Sequence, residues 1–111
     1  MKEVSNIFKD LGDVNRLRII KMLEVKKMCV CEIAFVLGIT QPSVSRHLKK
    51  MMRAGIIGSE QNHFWTNYYL RRDNRYVRTL LSTVAGWLND DPLVKQDRAK
   101  ARTVDRKHIM V

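Results

Sequence analysis

Apolar positions recur along this chain in steps of three and four, interrupted by short polar or glycine-containing runs. Residues 3–9, EVSNIFK, carry Val4, Ile7 and Phe8 and predict a short helix. LGD breaks the pattern, and Asp13 is a fair N-cap for the next element. In VNRLRIIKMLEVKK, residues 14–27, Val14, Leu17, Ile20 and Leu23 follow at three-residue steps. That predicts an amphipathic helix ending in lysines, which suit the negative end of its dipole. CEIAFVL, residues 31–37, predicts a third helix stopped by Gly38. Thr40 caps a fourth, QPSVSRHLKKMMRA, residues 41–54. Pro42 falls in its first turn, where a missing N–H costs little, and Gly55 suits a left-handed end.

The period then changes. IIGSEQ, residues 56–61, and HFWTNYYL, residues 63–70, predict two strands around a turn near Asn62, the second rich in Phe64, Trp65, Thr66, Tyr68 and Tyr69. Helical spacing returns in DNRYVRTLLSTVAGWL, residues 73–88, with Asp73 as a cap and Val77, Leu80, Leu81, Val84 and Leu88 as an apolar stripe. DDP breaks the chain again. Pro92 can start a last helix, PLVKQDRAKARTVDRKH, with few apolar residues and an expected tendency to fray. The division expected is one domain over residues 1–91 and a basic C-terminal helix or tail over residues 92–111.

The connection GIT between the third and fourth helices makes a helix-turn-helix pattern, and a hairpin directly after the second helix of such a pair is the arrangement called a wing. Charge gives this weight. The 111 residues carry 21 Lys and Arg against 11 Asp and Glu, a formal net charge of +10 that suits a polyanionic partner. A helix lying in the major groove needs hydrogen-bonding side chains near its N-terminal end. Here those are Gln41, Ser43, Ser45, Arg46 and His47, with Thr40 and Ser43 suited to phosphates and Lys49, Lys50 and Arg53 adding backbone attraction. Val44 and Leu48, four apart, face the core. The plainer alternative is a solvated basic face. The wing sequence SEQNHF holds Glu60 and no Lys or Arg, so Arg71 or Arg72 is expected to supply phosphate contacts instead. No apolar run nears the ~20 residues of a membrane span. The N-terminus has no secretory-signal pattern, so a cytoplasmic protein with reduced thiols is expected. An enzyme is not expected, and no organic cofactor: Cys-x-x-Cys and a βαβ pattern are both missing, and the histidines are scattered.

FKDLGDVNRLRIIKML, CVCEIAFVLGITQPSVSRHLKKMMRAGII and YYL closely resemble the ArsR/SmtB family of metalloregulatory repressors, over about Ile7 to Leu70. CVC, directly before the first helix of the motif, resembles the family's arsenic- and antimony-sensing motif Cys-Val-Cys-Asp-Leu-Cys, with Ala34 in place of the third cysteine. The resemblance implies a mostly α fold with a small β-hairpin, a winged helix-turn-helix dimerised through its N- and C-terminal helices. It implies a homodimeric repressor of double-stranded operator DNA. The inducer implied is arsenite or antimonite, or another thiophilic metal ion, held by Cys29 and Cys31.

Geometry tests that ligand pair. In a regular helix residues i and i+2 point roughly 200° apart, whereas in an extended segment they share a side. A Cys29–Cys31 chelate therefore requires Cys29 to precede the helix and Cys31 to open it. A thiol at a helix N-terminus beside Lys26 and Lys27 is expected to have a lowered pKa. Glu32 is expected to be solvated or at home near the helix N-terminus. Chelation is expected to pull Cys29 toward Cys31 and strain the start of the helix. Ala34 is the i, i+3 partner of Cys31; a cysteine there would complete the motif if the face is open, and would overpack if it is buried. Two other readings remain open, a thiol redox switch and inert packing. Asp105 and His108, spaced i, i+3, read as tail rather than as a metal site.

Overall fold

The computed structural model describes residues 1–109, apart from the side chain of His108, which lies outside the described residues. The order is α1 (Lys2–Leu11), α2 (Val14–Leu23), α3 (Val30–Leu37), α4 (Gln41–Arg53), β1 (Ile57–Asn62), β2 (Trp65–Leu70), α5 (Arg75–Ala85), α6 (Pro92–Thr103) and α7 (Arg106–Ile109). Ile19, Ile20 and Met22 of α2, Ile33 and Val36 of α3, and Val44, Leu48 and Met51 of α4 form the centre of the core. Val77, Leu81 and Val84 of α5 close it from one side, and α1 adds Ile7. Leu80 is only partly buried.

Local signals set most element ends. Asp13 accepts from the backbone N–H of Arg16 at 3.1 Å, and Thr40 accepts from Ser43 at 3.3 Å. Gly38 and Gly55 take φ of 71° and 77°, the left-handed region that halts a helix without a Cβ clash. The strands pair antiparallel from Ile57 with Leu70 to Asn62 with Trp65. His63 at the turn has φ 56°.

Four boundaries depart from the sequence expectation. The helix expected through Lys27 ends at Leu23, because the next residues are drawn into the sheet. Met28 donates to the Tyr68 carbonyl at 3.2 Å and accepts from the Tyr68 N–H at 2.8 Å, an antiparallel bridge on the free edge of β2. The cap of α5 is Asn74, which accepts from Tyr76 and Val77 at 2.9 and 3.2 Å, while Asp73 pairs with Arg71. Leu88 lies beyond α5 with φ 66° and is exposed, outside the apolar stripe assigned to it.

The fourth departure is the basic C-terminal helix, which docks firmly. Asp97 is 1% exposed and takes both guanidinium nitrogens of Arg18, at 2.7 and 2.9 Å. Arg98 donates to Glu24 at 2.6 Å and to the Lys21 carbonyl at 3.0 Å. Lys21, fully buried, pairs with Glu24 at 2.8 Å and donates to the Val84 carbonyl at 3.1 Å. Its ammonium thus sits at the negative end of α5. Hydrophobic spacing could not foresee this contact, because its specificity lies in charges that pair between the segment of α2 and Glu24 and α6, with carbonyls at the end of α5 receiving Lys21. Among the described residues, no helix is long and apolar enough to cross a membrane.

Removing one partner of a buried pair strands the other charge. Asp97→Ala is expected to lower unfolding stability by about 3 kcal/mol in urea titration, because Arg18 keeps no carboxylate there. A change within ~0.5 kcal/mol, the range of ordinary surface substitutions, would mean that Arg18 escapes to solvent at no cost.

Candidate nucleic-acid interface and thiol site

The N-terminal half of α4 stands clear of the core. Gln41, Ser45, Arg46, Lys49 and Lys50 are exposed, Ser43 is half-buried, and Val44 and Leu48 point inward as the spacing required. Thr40 is exposed but its hydroxyl is engaged as the cap. Arg46 donates to the Ser43 hydroxyl at 3.0 Å, so the two hold each other along the helix face. His47 is half-buried and turned toward α2, where its Nδ1 accepts from Arg16 Nε at 3.2 Å. Burial holds its imidazole below the ordinary pKa, with Arg16, Lys50 and Arg46 adding to the effect and Asp13 opposing it. Arg71, a candidate phosphate contact, forms an ion pair with Asp73. Arg16 was invisible as part of this surface: nothing local in its sequence marks a contact 31 residues away.

The two cysteines meet where α3 begins. Cys29 is the N-cap residue, extended at φ −90° and ψ 171°, and Cys31 lies in the first turn. Their sulfurs are 3.0 Å apart, the same-side placement that a chelate requires. The Met28 bridge to β2 keeps Cys29 extended. Glu32 accepts from the Cys29 N–H at 3.0 Å and is buried, so it caps the helix rather than facing water.

The thiol chemistry differs from expectation. Cys29 is 3% exposed, and its thiol is pushed up to about 12, first by burial, then by the hydrogen bond with Cys31 and the nearby Glu32 carboxylate. The lysines expected to lower it point elsewhere. Lys26 donates to the Val104 carbonyl at 2.8 Å, and Lys27 pairs with Glu60 at 2.9 Å. Nor does a ligand need to draw the sulfurs together, since they already touch. Ala34 is 7% exposed within the core cluster, so its face is closed and the overpacking case applies. No group of three or more His, Cys, Asp and Glu side chains arranged to hold a metal ion occurs among the described residues.

The family described as "Bacterial regulatory protein, arsR family" matches residues 13–59, from the Asp13 cap through both cysteines and α4 to β1. An uncharacterized HTH-type transcriptional regulator of Methanocaldococcus jannaschii is 40% identical over 73 residues, covering 65% of this chain and 82% of that protein. An arsenic resistance transcriptional regulator of Pseudomonas putida is 32% identical over 93 residues, covering 78% of this chain and 73% of its own length. The chain belongs to the ArsR family. Among solved structures, the transcriptional repressor BigR of Xylella fastidiosa superposes with a TM-score of 0.65 at 26% identity, over 75% of this chain and 80% of that one. A homodimeric winged helix-turn-helix DNA-binding domain from Mycobacterium bovis gives a TM-score of 0.66 at 22% identity, over 75% of each chain. The ArsR relatives are transcriptional regulators, so this ArsR chain is a winged-helix DNA-binding regulator rather than an enzyme.

A thiol held protonated reacts slowly with alkylating agents. At pH 7.5 the Cys29 thiol of the folded regulator is expected to react with iodoacetamide at least about tenfold more slowly than in guanidinium. Stability follows with a definite sign. The unfolded thiol ionises near its ordinary value of 9.0 while the folded one stays neutral to about 12, so the folded state loses ground as pH rises between those values. The slope from this group approaches about 1.4 kcal/mol per pH unit. Equal alkylation rates in the two states would contradict the burial of this thiol.

Proposed function

We propose that this protein is a homodimeric repressor that leaves its operator when a thiophilic metalloid, arsenite or antimonite first among them, bonds to Cys29 and Cys31. The observation that carries this reading is the sulfur pair itself, 3.0 Å apart at an extended N-cap. The arsenic resistance regulator of P. putida and a cadmium resistance transcriptional regulatory protein of Listeria innocua, 32% identical over 69 residues, support a thiophilic inducer in general. Burial of both sulfurs, with the Cys29 thiol held protonated, favours the uncharged metalloid over a divalent cation. Each thiol of Cys29 and Cys31 forms one sulfur–arsenic bond with arsenous acid, As(OH)3. Each thiol proton leaves with one hydroxide as water, so two waters depart and no free proton is released. A divalent cation would instead have to expel two protons.

The link to DNA is mechanical. Two sulfurs on one central atom, with bonds of about 2.3 Å and an angle between about 95° and 110°, stand roughly 3.4–3.8 Å apart, wider than the present 3.0 Å contact. Binding therefore pushes the pair open, against the Met28 bridge on one side and the first turn of α3 on the other. Because α3 packs on α4, the strain reaches the helix assigned to the major groove. A coupling of roughly 1–3 kcal/mol between the two sites is enough to lower operator occupancy. Gln41, Ser45 and Arg46 are assigned to base edges, and Thr40, Ser43, Lys49 and Lys50 to phosphates. The dimer is supported by apolar side chains left exposed on α1, namely Phe8, at the start of α5, namely Tyr76, and at the α5–α6 corner, namely Trp87, Leu88 and Leu93. The homodimeric state of the M. bovis domain supports it too.

The test is release of a duplex selected by the protein from a randomised pool, followed with arsenite, antimonite, cadmium, zinc and peroxide. Cys29→Ser and Cys31→Ser are expected to bind that duplex within about threefold of the parent and to stay bound when arsenite is added. Parent-like release by both variants would eliminate the thiol site; release by peroxide alone would assign the pair to redox sensing. On the DNA side, Arg46→Ala is expected to cost about 1–3 kcal/mol on the selected duplex and far less on random DNA. Lys50→Ala should weaken both alike and reduce the salt slope by about one unit. Equal losses on the two duplexes for Arg46→Ala would remove it from base reading.

A further inference from the structure

A line of polar contacts runs from α1 to the outer face of α4. Asp10 is 7% exposed and accepts from Arg16 Nη1 at 2.8 Å; its second carboxylate oxygen is buried with no hydrogen-bond partner. Arg16 also lies 3.9 Å from Asp13, and its Nε donates to His47 Nδ1 at 3.2 Å. A guanidinium has donors only. The nitrogen facing it must therefore offer a lone pair, which leaves the single proton of neutral His47 on Nε2. Ser43, Arg46, His47 and Lys50 fall at i, i+3, i+4 and i+7, one face of α4.

We propose that Asp10 and Arg16 are positioning residues for DNA binding: they lock His47 in the neutral Nε2–H form, so that α4 presents one fixed hydrogen-bond donor to an acceptor atom of the duplex. This rests on α4 being the helix that meets DNA. The acceptor is an oxygen or ring nitrogen, found both on base edges and on phosphates. The charged groups around the imidazole all favour the neutral ring except Asp13. Arg16 from α2 and Arg46 and Lys50 from α4 are cations, and Asp10 reaches the ring only through Arg16. Protonation would place an N–H on Nδ1 against the guanidinium and break the contact. The donor is thus kept in one form through the pH range above the ordinary histidine value.

Two amide side chains separate the inner and outer nitrogens. Asn carries its polar atoms near the place of Nδ1, and Gln near that of Nε2. His47→Asn is expected to keep the Arg16 contact and the parental melting temperature, yet to bind the selected duplex roughly tenfold less tightly, the scale of one lost donor. A loss confined to that duplex assigns the acceptor to a base edge; an equal loss on random DNA assigns it to phosphate. His47→Gln is expected to retain more of the affinity while melting lower. Nitrogen-15 NMR of the full-length protein reads the lock directly, with one tautomer protonated at Nε2. In Arg16→Met the two tautomers should mix and the His47 titration should move up toward its ordinary value. A parental affinity for His47→Asn, or a proton on Nδ1 in the unaltered protein, would overturn the proposal. Failure of the unaltered protein to select any duplex would instead overturn the DNA-reading assignment of α4.

Discussion

Two backbone hydrogen bonds between Met28 and Tyr68 hold the chain extended where it would otherwise continue the helix of residues 14–23. Had the helix run on, the side chains of residues 29 and 31 would point to opposite sides and their sulfurs could not meet. With the bridge in place, Cys29 stops short of α3, Cys31 lies in its first turn, and the thiols face each other under cover of the core. The same bridge joins the wing to the thiol pair through main-chain atoms alone. β2, Met28, Cys29, α3 and α4 stand in mechanical series, with no flexible loop between the sulfurs and the helix assigned to DNA.

Charge is organised with the same economy. Glu24, Asp10 and Asp97 lie inward, each against a lysine or arginine from another turn or another helix. Glu32 serves the N-terminus of α3. Burying these pairs removes solvation that a lone charge would need; two cationic contacts each at Asp97 and Glu24 make the burial tolerable, whereas Asp10 keeps one oxygen without a partner. The unpaired excess of positive charge stays outside, on α4 and on the exposed faces of α5 and α6.

The features legible in the sequence were those decided within a few residues. Thr40, Pro42, Gly38 and Gly55 delimit the two helices of the reading motif by backbone chemistry that needs no distant partner. The β-forming residues Phe64, Trp65, Thr66, Tyr68 and Tyr69, with the turn near Asn62, likewise define the hairpin. What stayed hidden depends on contacts across the fold. Met28 has no strand signal of its own; its pairing follows from the position of β2. Lys26 and Lys27 look like activators of a thiol until their side chains are followed to Val104 and Glu60. The polar spacing of residues 92–103 reads as solvated because hydropathy cannot distinguish a carboxylate in water from Asp97 between two guanidinium nitrogens. Ala34 gave no hint whether it lay open or closed, since one small residue fits either face.

The Arg18–Asp97 contact joins positions 79 residues apart. Closing so long a loop costs chain entropy that only the finished interface returns. The turn between α3 and α4 and the hairpin, built from near neighbours, close at less entropic cost, so the last helix is expected to dock late. During synthesis the chain therefore exposes a nearly complete DNA-binding surface before Asp97 has left the ribosome. Arg18, still wet at that stage, is expected to become buried against Asp97 as the C-terminal helix docks.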